Sequence, residues 1–205
     1  MPTDVFYRLT PVKQQHIIDA IKNEITRAPF EEFSIYNVVR SCGISRGSFY
    51  QYFANKEDIM IYLLSAYNRS VLERFMQSLK ENNGDLFTGL EDGYRFVVRM
   101  LCYKESKAYR QHLFCNGDFY EKLWRDHDFS VEKYPALLEA LELINIDKIR
   151  VNGREELKTL IEICMASVTR ECITLLMTNC TEQMACDSFQ KKLDLLRKGY
   201  QLEER

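Results

Sequence analysis

Ser34 to Ile59 reads SIYNVVRSCGISRGSFYQYFANKEDI, and its punctuation divides it into three short helical pieces. Ser34 can cap the first, in which Ile35, Val38 and Val39 recur at helical spacing. Cys42-Gly43 stops it, because glycine reaches the left-handed conformation of a helix end at least cost. Ser45 stands where an N-cap opens a second helix, SRGSFYQYF. Asn55 can cap a third, with Lys56, Glu57 and Asp58 in its first turn and Asp58 spaced for a return bond of the capping-box kind. A helix, a short glycine-containing turn and a second helix make the helix-turn-helix pattern, whose second helix enters a DNA major groove.

These residues resemble the DNA-binding signature of TetR-type transcriptional regulators. Gly43-Ile44-Ser45 is similar to that family's glycine-aliphatic-serine turn, Tyr50-Gln51-Tyr52-Phe53 to its Y-x-Y/H-F core, and Lys56-Glu57-Asp58-Ile59 to the K-E-[ED]-[LI] that opens the next helix. The resemblance is ungapped and covers roughly the first quarter to third of the chain. Val39 departs from the pattern, since the family usually carries a small residue there. The resemblance implies that Ser45, Arg46, Gly47 and Ser48 open a recognition helix. Arg46 and Ser48 would reach base edges, arginine being the side chain best suited to guanine O6 and N7. Gly47 would let the helix sit close to the groove, and Gln51 could read adenine. Tyr50, Tyr52 and Lys56 look like the family's phosphate-contacting positions, with Ser34 adding a hydroxyl or helix-N-terminus contact. The plainer alternatives are that Tyr50 and Tyr52 are wall residues of a small domain and that Arg46 is a solvated charge.

Outward from this motif, Thr10-Pro11 opens a helix whose Ile17, Ile18, Ile21 and Ile25 form an apolar stripe, ended at Ala28-Pro29. From Ile59 the apolar positions continue through Leu63, Ala66, Tyr67, Val71 and Phe75, which makes the third piece a long helix. Glu81 to Asp85 is a polar turn cluster. Residues 86–150 are rich in aromatics, among them Tyr94, Tyr103, Phe114, Phe119 and Trp124. The resemblance places a ligand-binding bundle here, within about residues 60–180. Those five aromatics with Met165 are the candidate ligand contacts, suited to a small hydrophobic or aromatic molecule. Asn152 with Glu155 is spaced to start another helix, and Leu160, Val168 and Leu175 lie on its wide apolar face. Thr181 restarts the chain ahead of a stripe containing Phe189, Leu193 and Leu196. Those six residues, on helices over about 154–203, are the expected homodimer contacts in a four-helix interface.

Composition bounds the function. Four prolines, eight glycines and long helical periodicities indicate an all-α chain: a helix-turn-helix head over 1–54 and a helical regulatory bundle over 55–205. No apolar run suits a membrane span and MPTDVFYRLTP is not a targeting segment, so a cytoplasmic protein is expected. Seven cysteines without paired spacing argue for reduced thiols. The net charge is −2, yet Phe33 to Lys56 holds three cations and no acid, which fits a local footprint on double-stranded DNA. No phosphate-cradling loop, G-x-S-x-G or H-E-x-x-H is present, so no catalytic residue, metal ligand or cofactor is assigned. Together with these bounds, the resemblance implies a homodimeric repressor of a pseudo-palindromic operator, released by an unidentified small-molecule effector. Two rivals are an architectural or adaptor DNA-binding protein that recruits a partner, and a thiol- or metal-sensing regulator built on Cys164, Cys172 and Cys180.

Overall fold

Side-chain caps punctuate the helices of this chain where the sequence places them. The computed structural model describes residues 1–104, 106–116, 135–178 and 180–202. Helix α1 spans Asp4–Tyr7, α2 Pro11–Arg27, α3 Ile35–Cys42, α4 Arg46–Tyr52 and α5 Lys56–Glu81. Then come α6 (Leu86–Arg99), a π turn at Met100–Lys104 and α7 (Lys107–Phe114). Helices α8 (Pro135–Glu142), α9 (Arg154–Met177) and α10 (Glu182–Tyr200) complete the chain. The hydroxyls of Thr10, Ser34, Ser45, Ser106 and Thr181 each accept a backbone N–H in the first turn of the helix that follows. Asn55 accepts from the Asp58 N–H at 2.8 Å, and Asp58 returns a carboxylate to the Ala54 N–H at 3.2 Å. The box at Asn152 differs from the expected one. Gly153, at φ +88°, is the N-cap of α9, so the carboxylate that reaches back to Asn152 is that of Glu156, not Glu155.

The chain packs as two units. One holds residues 1–68 and α7; the other holds residues 69–104 with α8, α9 and α10. Helix α5 is continuous through the division, which therefore falls later than the boundary of role drawn at residue 54.

The first unit closes over the isoleucine stripe of α2. Ile17, Ile21 and Ile25 meet Val38 and Val39 of α3, Phe49 and Phe53 at α4, and Ile59, Met60, Leu63 and Leu64 at the start of α5. Each fully buried side chain of this size contributes about 1.5–3 kcal/mol. Val39 is accommodated in this core, and its carbonyl accepts the N–H groups of both Gly43 and Ile44. Helix α7 adds Tyr109 and Leu113. Helix α1 adds Phe6, fully buried, its ring 5.1 Å from that of Phe53 and 5.7 Å from that of Tyr62.

In the second unit α6, α9 and α10 pack against one another. Leu86, Phe87, Leu90, Tyr94 and Val98 of α6 meet Leu157, Leu160, Ile161 and Cys164 of α9 and Ala185, Phe189 and Leu193 of α10. The turn after α5 uses Asn83 and Gly84 at positive φ, and the Gly84 carbonyl accepts the Asn145 N–H at 2.9 Å.

Candidate nucleic-acid interface

The turn between α3 and α4 is set by Gly43 at φ +66°, a left-handed C-cap that reverses the chain within three residues of the next helix start. Ser45 then opens α4 by accepting the Ser48 N–H at 3.0 Å, and its hydroxyl also lies 2.9 Å from that of Ser48. One face of α4 carries Phe49 into the core. The other leaves Ser45, Arg46, Gly47, Tyr50 and Gln51 exposed, with Ser48 partly so. A Cβ added at Gly47 would meet only the Ser45 hydroxyl, at 3.8 Å, so the helix is bare there and open to close approach. Arg46 lies along the helix over Tyr50: its guanidinium is 5.7 Å from the ring centre, and Nη2 donates to the Tyr50 hydroxyl at 3.3 Å. This cation–π pairing holds the charge on the exposed face without burying it.

The predicted set is therefore largely together, with two changes. Tyr52 is only 5 % exposed and packs its ring against Phe6, so the ring is a wall of the core. The reason is α1: the Thr3 N–H donates to the Tyr52 carbonyl at 2.9 Å and seats Phe6 beside the ring, a partner the tyrosine's own spacing does not reveal. Lys56 is engaged within the protein. Its Nζ donates to the Phe30 carbonyl at 3.0 Å and lies 4.3 Å from the centre of the Phe30 ring. Two of its three donors remain for a phosphate. Tyr36, absent from the predicted set, is 62 % exposed in the first turn of α3 beside the Ser34 cap. Its position between the inward Ile35 and Val38 was the available signal for an outward aromatic.

The geometry rests on a buried carboxylate. Glu24 of α2 accepts from Arg27 at 2.6 and 2.9 Å, from the Ser34 N–H at 3.0 Å and from the Asn37 amide at 3.2 Å. It thereby ties the end of α2 to the first turn of α3. Burial pushes its pKa up, but the bonds from Arg27, Ser34 and Asn37 outweigh that and hold it below the usual carboxylate range.

The remaining predicted residues fall into the core, onto the surface or outside the described residues. Tyr94 is buried, its ring centre 4.2 Å from that of Phe189, and its hydroxyl has no hydrogen-bond partner among the described residues. Phe114 belongs to the first unit, where its ring meets Tyr67 at 4.8 Å, and is not part of the second unit's bundle. Met165 is 45 % exposed. Phe119, Trp124 and the side chain of Tyr103 lie outside the described residues. Of the expected dimer contacts, Leu160, Phe189 and Leu193 are buried in the chain's own second core, and Val168, Leu175 and Leu196 pack at its margin. The apolar stripes that they mark are first consumed by α6, which lies against both helices.

Burial raises the thiols of Cys42, Cys115, Cys180 and Cys186, takes Cys164 to about 11 and Cys172 to about 12, and so keeps them protonated. Among the described residues no three His, Cys, Asp or Glu side chains come together to hold a metal ion, and no helix is long and apolar enough to cross a membrane.

Comparison with known proteins agrees with the geometry. Residues 17–63 match the family model described as bacterial regulatory proteins, tetR family. Residues 85–200 match that of the tetracyclin repressor-like C-terminal domain. The fatty acid metabolism regulator protein of Bacillus subtilis (strain 168) is 32% identical over 69 residues, which are 34% of this chain and 36% of that protein. The match thus spans about a third of that relative's length. A putative TetR-family regulator from Mesorhizobium loti superposes with a TM-score of 0.63 at 14% identity, over 95% of this chain and all of the other. SmeT, the repressor of the Stenotrophomonas maltophilia multidrug efflux pump SmeDEF, does so with 0.63 at 13% identity, over 97% of this chain and 93% of its own. At these identities the two structures share the fold.

Proposed function

Because the chain belongs to the TetR family of bacterial transcriptional regulators, we propose that it is a cytoplasmic, homodimeric repressor that a small molecule releases from its operator. The observation that carries this is the outer face of α4, which leaves Ser45, Arg46, Gly47, Tyr50 and Gln51 exposed on a helix capped at Ser45 and held by a glycine turn. An arginine early in a recognition helix is placed for guanine, and a dimer presents two such helices to successive major grooves of a pseudo-palindrome. Repression is supported by the kinship in fold with SmeT, itself a repressor. A hydrophobic or aromatic effector is supported by the second unit, where Tyr94 offers a buried hydroxyl beside the Phe189 ring. Such an effector releases DNA only if it binds the two states of the protein with different affinity.

Selection from randomised duplexes, followed by sequencing, tests the reading. The natural protein should enrich a two-fold symmetric site, and Arg46→Ala should cost about 1–3 kcal/mol on that site and relax one base preference in each half. An asymmetric single-head footprint, or a base preference unchanged by the substitution, would remove the dimeric reading or the role of Arg46 respectively.

A further inference from the structure

Within the first unit a cleft of about 220 Å³ opens between the 3-10 turn at Phe30–Glu32 and the end of α7. Phe30, Glu31, Gln111, His112, Cys115 and Asn116 line it, and none of them belongs to the DNA-contacting set. Sites for drug-sized ligands run to roughly 300–1,000 Å³, so this one admits a single ring with a short substituent.

Glu31 brings a carboxylate; among the described residues the lining holds neither lysine nor arginine, and the Lys56 ammonium stands beside it against the Phe30 ring. His112 Nδ1 lies 2.6 Å from the Ile25 carbonyl. That oxygen can only accept, so Nδ1 carries the hydrogen and in the neutral ring Nε2 is the acceptor. Burial raises the Cys115 thiol and keeps it uncharged. The Phe30 ring adds a π surface that already attracts one cation, the Lys56 ammonium 4.3 Å from its centre. Carboxylate, imidazole acceptor and aromatic ring together select positive charge.

We infer that this cleft is a binding site for a small single-ring organic cation, a protonated amidine or amine, and that its occupant competes with Lys56 for Phe30. Two cations drawn to one ring repel each other. Occupancy therefore loosens the bond from Lys56 to the Phe30 carbonyl, and this links the cleft to a side chain assigned to the DNA backbone.

The test is an NMR titration of the isotope-labelled full-length protein with benzamidinium and with its neutral counterpart benzamide. Benzamidinium should produce saturable shifts at the backbone amides of Glu31, His112 and Asn116, and bind about fivefold more tightly than benzamide, the size expected of one partly exposed charge contact. Glu31→Gln, at an exposed position, should reduce that preference at least about twofold. Lys56→Ala should act in the opposite direction and tighten benzamidinium binding several-fold by removing the competing ammonium. Non-saturating shifts spread over surface acids, or equal binding of the two compounds, would overturn the site. An unchanged affinity in Lys56→Ala would overturn the competition. No DNA enters the titration, so either failure is separable from failure of the repressor reading.

Discussion

Glu24 sits on the isoleucine stripe of α2, where nothing in the hydrophobic pattern asks for a charge, and it is buried all the same. A buried carboxylate is tolerated only when its oxygens are satisfied, and here the donors come from three, ten and thirteen residues further along the chain. Glu24→Gln turns one acceptor oxygen into a donor facing other donors. It should cost about 2 kcal/mol of stability at neutral pH, read by urea unfolding. Because the folded carboxyl is held below its ordinary range, its contribution is present above the unfolded value and is lost as pH falls through the folded one. The natural protein should lose stability over that acid window, and the Gln variant should lose less. At Gly47 the two demands on a residue separate. The site has open space and ordinary helical backbone, so Gly47→Ala should raise unfolding stability by about 0.5–1 kcal/mol. The same methyl stands on the bare part of α4 and should weaken operator binding measured by anisotropy. A variant that gained both stability and affinity would show that α4 does not approach the groove at this point.

At the level of the element, helix starts were legible because a cap is a local event. Ser34, Ser45, Asn55 and Thr181 satisfy N–H groups only three residues away, so residue type and spacing suffice. What covers an amphipathic face is not local. Tyr52, Leu160, Phe189 and Leu193 each stand on an apolar stripe, and α1 or α6 of the same chain covers them. The polar turn at Glu81–Asp85 divides in the same way. Its composition announced a turn, but not that Gly84 lies against the chain after α8. At φ +74°, a Cβ on Gly84 would stand 2.6 Å from the Asn145 nitrogen and 2.7 Å from the Leu143 carbonyl oxygen. Backbone atoms cannot step aside as a side-chain end can. Gly84→Ala should therefore cost at least about 1–3 kcal/mol from the backbone strain alone. A melting temperature within a degree of the natural protein would mean that this junction yields freely.

At the scale of the whole molecule, the proposed homodimer has a candidate surface in what α6 leaves uncovered. Ile163, Ile173 and Met177 of α9 remain exposed, Met177 by 61 %. At about 100° per residue the three fall within about 80° of one another around the helix, so they share one face. Met184 and Leu195 of α10, eleven residues apart, share a face in the same way and are also exposed. Large apolar side chains aligned along two helices differ from the scattered ones normal on any surface, and a two-fold partner offering the same face would bury them. Replacing Ile173 and Met177 together by Glu should put two carboxylates on that face without touching the second core. Sedimentation should then show monomers with unchanged helical circular dichroism, and operator affinity should collapse because a single head engages only a half-site. Leu160→Ala is the control from the original stripe. It removes a buried core side chain, so it should lower stability by about 2–5 kcal/mol while the folded fraction stays dimeric. If the double Glu variant remained a dimer and the Leu160 variant dissociated while folded, the interface would lie on the core stripe after all. The exposed face of α9 and α10 would then need another occupant.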